Sequence, residues 1–174
     1  VIISSLRIAY LITKHKKFLL HKEIIYLLAI IYILCLFHVV TFQDINYGES
    51  NFVPFKEIFR YSFGSHKFIR NVLGNIILFI PFGFMMPCIF RMFRKMPVCV
   101  MGGFIFSVMI EVVQYITQRG YSQLDDVVTN TAGALAGWIV WALIAGIIYM
   151  IKRVIRILMG NMYSVHSHRN FRRY

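Results

Sequence analysis

The chain holds 174 residues, 59% of them hydrophobic and 15% charged, where a soluble domain carries about 45 to 50% and about 25%. One small core cannot take up that excess, so a water-soluble globule is excluded and a bilayer is the expected solvent. Nineteen Lys and Arg against seven Asp and Glu give a net charge of +12, a balance that in so apolar a chain sets membrane orientation rather than nucleic-acid binding.

In chain order, residues 1–23 form a basic N-terminal segment with Arg7, Lys14, Lys16, Lys17 and Lys22, too short in its apolar part for a signal peptide. Four apolar stretches then approach the roughly 20 residues needed to cross the hydrocarbon core: 24–42, 72–90, 96–116 and 127–150. The expected fold is all-α, a polytopic membrane protein with four transmembrane helices. Its membrane domain covers 24–151, followed by a basic cytoplasmic tail over 152–174 that is expected to be flexible after Gly160. The second span carries Pro81 and Pro87, so a bent or partly broken helix is expected there. In the connection 43–71, Phe52, Phe55, Phe59 and Phe63 recur at spacings of three and four, the pattern of a short helix lying in the interface.

Fourteen of the nineteen basic residues fall in the N-terminal segment, the turn after span two and the C-terminal tail. The positive-inside rule then puts both termini in the cytoplasm and the connections 43–71 and 117–126 outside. Cys35, Cys88 and Cys99 show no metal or disulfide spacing and read as small buried hydrophobes. His38 reads as a satisfied buried histidine rather than a ligand.

Polar residues beside the spans are few, and they converge at one depth. Asn71 and Asn75 share a face at the start of span two, and Ser107, Glu111 and Gln114 form a stripe towards the end of span three. The next loop supplies Arg119, Asp125 and Asp126, and span four opens with Thr129 and Asn130. One reading is a structural network in which Glu111 pairs with Arg119 and the amides bond between helices. The sharper reading is a polar pocket open to the outer leaflet, because Glu111, Asp125 and Asp126 outnumber Arg119 and call for a cation or a proton. Gly133 and Gly137 make a GxxxG for close packing, against span two or three in preference to a second chain; Gly74, Gly83, Gly102 and Gly103 invite the same reading.

Familiar membrane-enzyme chemistry is missing. There is no HExxH, no GxSxG and no Ser with His at the outer face; His66 and Arg119 are isolated, so phosphoryl transfer lacks its cations. The carboxylates could in principle hold a hard divalent cation, but their spacing matches no defined loop, and neither metal nor cofactor is expected.

With these residues in view, the chain resembles the VanZ-like family of small bacterial membrane proteins. The matching elements are Asn51-Phe-Val-Pro54-Phe55, then Asn71-Val-Leu-Gly-Asn75 running on to Phe79-Ile-Pro81-Phe-Gly83. Glu111-Val-Val-Gln114 and Arg119 follow, then Asp125-Asp126-Val-Val-Thr-Asn130-Thr-Ala-Gly133 and Gly137, all in the family's order over about half the chain. The resemblance implies a multi-pass protein whose namesake is associated with low-level resistance to the lipoglycopeptide teicoplanin, and it implies no settled reaction.

The leading expectation is therefore a cell-envelope protein without enzymatic activity. It would engage a lipid, a lipid-linked wall precursor or a lipoglycopeptide at the outer leaflet through Asn71, Asn75, Glu111, Gln114, Arg119, Asp125, Asp126 and Asn130. The rival is an enzyme that modifies an outer-leaflet or wall component with Glu111, Asp125 or Asp126 as acid, base or metal ligand. Transport of a cation or proton ranks last, since no polar path continues inward beyond Ser107.

Overall fold

A computed structural model of the chain describes residues 20–41, 53, 55–60, 62, 64–118 and 123–171. The N-terminal segment 1–19, Phe42, Phe52, Phe63 and Arg119 lie outside them. Among the described residues, four helices are long and apolar enough to cross a membrane. They are α1 (Leu20–Thr41), α3 (His66–Ile89), α4 (Met96–Thr117) and α5 (Leu124–Phe171); the five-residue helix α2 (Lys56–Arg60) lies in the first connection.

Local chemistry accounts for most boundaries. Ser65 opens α3, its Oγ accepting from the Phe68 N–H at 3.2 Å, which satisfies one of the unpaired first-turn donors. Pro97 sits in the first turn of α4, where its missing N–H costs nothing. α4 ends on Gln118 at φ 53°, a left-handed cap. Asp125 and Asp126 occupy the first turn of α5, where negative charge suits the helix dipole. A π-helical turn, Ile69–Leu73, precedes the main run of α3, Gly74–Ile89.

That run stays helical through Pro81 and Pro87, so of the two expected forms, bent or partly broken, the broken one is not found. A proline removes the N–H that would bond the carbonyl four residues earlier, so Pro87 frees the Gly83 carbonyl. The Cys99 thiol of α4 donates to that carbonyl at 3.7 Å, a neighbouring helix replacing the lost donor. At the end of the helix the Pro87 carbonyl accepts from Arg94 Nε at 3.4 Å, within the 3₁₀ turn Arg91–Arg94 that leads into α4.

α5 packs along both α3 and α4, which touch each other far less. Three glycines allow it. A Cβ on Gly133 would lie 2.2 Å from the Ile76 carbonyl oxygen, one on Gly137 2.1 Å from that of Ile80, and one on Gly83 2.0 Å from that of Ala134. Gly103 brings α4 to the same place, with a Cβ there 2.5 Å from the Ala134 Cβ. The GxxxG thus serves contact within the chain. Gly74 and Gly102 take no part in such helix-to-helix contact: Gly74 has only its own helix nearby and Gly102 faces the Phe93 ring.

Phe79, Phe82, Leu36 and Ala134 form the buried core, with the Phe82 and Phe106 rings stacked 5.5 Å apart. α1 joins it chiefly through Leu36 and Tyr32 and otherwise turns apolar side chains such as Leu27, Leu34 and Phe37 outward. In water such a surface would aggregate, whereas in lipid it is solvated. Two expectations fail on this helix, since Cys35 and His38 are exposed rather than buried. An apolar run gives no sign of which face meets protein when all faces are apolar.

The fourth span also runs on past residue 150. Backbone helix continues to Phe171, through the stretch after Gly160 where a flexible tail is expected, and no proline interrupts it.

Candidate functional site

The start of α3, the end of α4 and the start of α5 meet at one end of the bundle, with α2 beside them. There the apolar interior gives way to buried polar side chains: Ser107, Glu111, Gln114, Asp125, Thr129 and Asn130, none more than 8% exposed. Asp126 is half-buried on α5, and Asn71 and Asn75 are half-buried on the first turns of α3. The expected residues are thus gathered at one end, apart from Arg119, whose position is outside the described residues.

Two carboxylates have backbone partners that spacing could not reveal. Asp125 reaches across 67 to 70 positions of chain to the first turn of α2, one oxygen accepting from the Phe55 N–H and the other from the Ile58 N–H at 3.1 Å. It acts as the N-terminal cap of α2 in trans, satisfying donors the short helix cannot satisfy itself. Phe55 has a positive φ of 62°, uncommon for a residue with a side chain, at the point where the chain enters this contact. Glu111 Oε2 accepts from the Gln123 N–H at 2.9 Å, tying the end of α4 to the residue preceding α5.

The surplus of acceptors that calls for a cation is therefore met in part by amide N–H groups. Among the described residues, no group of three or more His, Cys, Asp or Glu side chains is placed to hold a metal ion.

One turn deeper, Asn130 Nδ2 donates to Ser107 Oγ at 2.8 Å, joining α5 to α4. The other end of the same amide, Oδ1, is buried with no hydrogen-bond partner. Exchanging the two amide atoms does not remove the deficit, since the serine hydroxyl can donate or accept and one end still faces nothing. An unsatisfied buried polar atom costs about 1–3 kcal/mol, so Asn130 is held in a position that local stability does not favour. Thr129 turns back on its own helix, Oγ1 donating to the Asp125 carbonyl at 3.0 Å and to that of Asp126 at 3.2 Å. Chemically the site is a set of hydrogen-bond acceptors in an apolar wall, suited to a group rich in N–H and O–H donors.

A family model described as VanZ/LLP1 matches residues 23–145, most of the chain. The chain belongs to the VanZ/LLP1 family. Protein VanZ of Enterococcus faecium is 32% identical over 68 residues, covering 39% of this chain and 42% of that protein. The chain thus matches less than half the length of this VanZ relative. No solved structure matches. The VanZ/LLP1 match takes in α1 to the first half of α5, and with them every residue of the acidic end.

Sequence reasoning marked Phe55 only for its side chain and did not place Phe55, Ile58 or Gln123 in the site, where they contribute through backbone amides that no side-chain pattern marks. Ser107 and Thr129, visible as polar positions but not counted in the site, are both buried in it.

Proposed function

We propose that this VanZ/LLP1 protein acts without catalysis in the bacterial cell envelope. In this reading both termini are cytoplasmic, as the distribution of Lys and Arg favours, and the acidic end faces outward. There it engages a lipid, a lipid-linked wall precursor or a lipoglycopeptide. The observation that carries the reading is the buried, partnerless Asn130 Oδ1 among the acceptors of α4 and α5. A headgroup bearing hydroxyl or amide donors would complete that hydrogen bond, and the half-buried Asp126 stands on the way to it.

Enzymatic use of Asp125 draws no support from its geometry, since both its oxygens already receive N–H donors, and one oxygen of Glu111 is likewise engaged. That rival rests on Asp126 and Glu111, and unchanged lipid and precursor masses in expressing cells would set it aside.

The test is teicoplanin susceptibility of a sensitive host expressing the wild type, Asp126→Ala, Asn130→Ala or an empty vector, at matched membrane abundance. Protection by the wild type that both substitutions abolish is the expected result. Protection that survives both would remove the site from these residues, and none from the wild type would detach this chain from the resistance that the family resemblance implies.

A further inference from the structure

α5 is longer than the bundle it completes. Its apolar stretch, Leu124–Met159, runs for 36 residues, about 54 Å at about 1.5 Å per residue, against a hydrocarbon core of about 30 Å. Tilting cannot absorb the difference, because it would take about 56° from the membrane normal and helices range over about 0 to 40°. The register against α3 locates the surplus. Gly137 lies on Ile80 and Gly133 on Ile76, so the two helices run parallel; α3 ends at Ile89, nine residues after Ile80, and the matching position on α5 is Gly146. A Cβ on Gly146 would meet nothing within 4 Å. The bundle ends there, and every residue from 147 to 159 is exposed.

This protruding segment is amphipathic. At about 100° per residue, Tyr149, Lys152, Arg153 and Arg156 fall within one arc of about 100°. Ile147, Ile151, Val154, Ile155 and Leu158 fall in the opposite one. No Asp or Glu follows Asp126 in the chain, whereas six Lys and Arg do. A second copy laid against the apolar face would cover it but bring no counter-charge from the same segment. An anionic headgroup layer supplies both an apolar floor and the opposite charge, and the segment is already continuous with a membrane-spanning helix.

We propose that residues 147–159 turn at Gly146 onto the surface of the bilayer the bundle spans and form an anionic-lipid site. Ile151, Ile155 and Leu158 seat among the acyl chains, and Lys152, Arg153 and Arg156 take the lipid phosphates. α5 is one continuous helix through Gly146 without a bilayer, and glycine, with its backbone freedom and low helix propensity, makes a turn there less costly than at the neighbouring Ile or Ala. The inference does not depend on the acidic end or its ligand.

The test uses the full chain with Cys35→Ser, reconstituted in vesicles of phosphatidylcholine alone or with one quarter phosphatidylglycerol. A bimane probe is placed at Ile155→Cys or at Tyr149→Cys, with the unsubstituted chain as labelling blank. The Ile155 probe should be quenched by nitroxide lipid and shielded from aqueous iodide, the Tyr149 probe the reverse. Phosphatidylglycerol should strengthen the contrast, and K152Q/R153Q/R156Q should abolish that strengthening, with a docking ratio lower by about 5-fold per charge and on the order of 100-fold for three. An Ile155 probe open to iodide in both vesicles would overturn the proposal. So would shielding indifferent to phosphatidylglycerol, or shielding accompanied by energy transfer between differently labelled copies, which would assign the face to a second chain.

Discussion

Substituting alanine at Gly137 tests whether backbone contact sets the spacing of α3 and α5. The added Cβ would lie 2.1 Å from the Ile80 carbonyl oxygen, where ordinary contact begins at 3.4 Å, so the helices must separate by about 1.3 Å. The obstacle is backbone, and no rotamer change relieves it. Overpacking of this kind costs up to about 3 kcal/mol, and the better helix propensity of alanine returns about 1 kcal/mol. The net loss of about 2 kcal/mol lowers the melting temperature by about 4–8 °C at this chain length. Gly146→Ala is the matched control in detergent, where no bilayer surface draws the helix into a turn: α5 is continuous through this position and nothing lies within 4 Å of its Cβ, so it should keep the propensity gain and melt about 2–4 °C higher. Gly102→Ala falls between, since the atom it meets at 2.5 Å is the end of the Phe93 ring, which can move. Thermal unfolding of the three purified variants in one detergent gives the order. Equal shifts for Gly137→Ala and Gly146→Ala would refute the reasoning.

Asp125→Ala removes two charge-assisted bonds to α2; local opening there should become easier by about 3 kcal/mol, read as roughly 100-fold faster amide exchange at Phe55 and Ile58 with the bundle's melting less affected. Ser107→Ala and Asn130→Ala, combined in a double-mutant cycle, should give a coupling of about 0.6 to 1.7 kcal/mol, the range for hydrogen bonds between membrane helices; zero coupling would mean the 2.8 Å contact contributes nothing. Cys99→Ala should cost about 1 kcal/mol in the parent chain and close to nothing beside Pro87→Ala, where the helix's own N–H again meets the Gly83 carbonyl; an equal cost in both backgrounds would break the link between thiol and proline.

The spans were legible because each is a long apolar run, and their polar interruptions stood out against it. Glu111, Gln114, Asp125 and Asn130 could be placed at one depth by counting residues from the helix ends. Their partners could not, since Phe55 and Ile58 meet Asp125 through backbone groups nearly 70 residues away. The reach of α5 was hidden for a related reason. Lys152, Arg153 and Arg156 look like the start of a soluble tail in a linear reading, whereas helical periodicity gathers them on one side and leaves the rest apolar. Cys35 and His38 failed because α1 is apolar all round, so periodicity carries no information about its inward face.

Ala134 is where the three central helices meet, its carbonyl against Gly83 and its methyl against Gly103. α3 and α4 are joined by a short turn and are synthesised first, yet they touch each other little and depend on α5 to fill the space between them. During biosynthesis the α3–α4 hairpin therefore waits in the membrane as an open pair, with Phe79 and Phe82 uncovered on the side that α5 closes. Closure of this bundle depends on α5, which follows α3 and α4 in the chain, and the interval before α5 arrives is when an unfinished bundle would be open to membrane proteases.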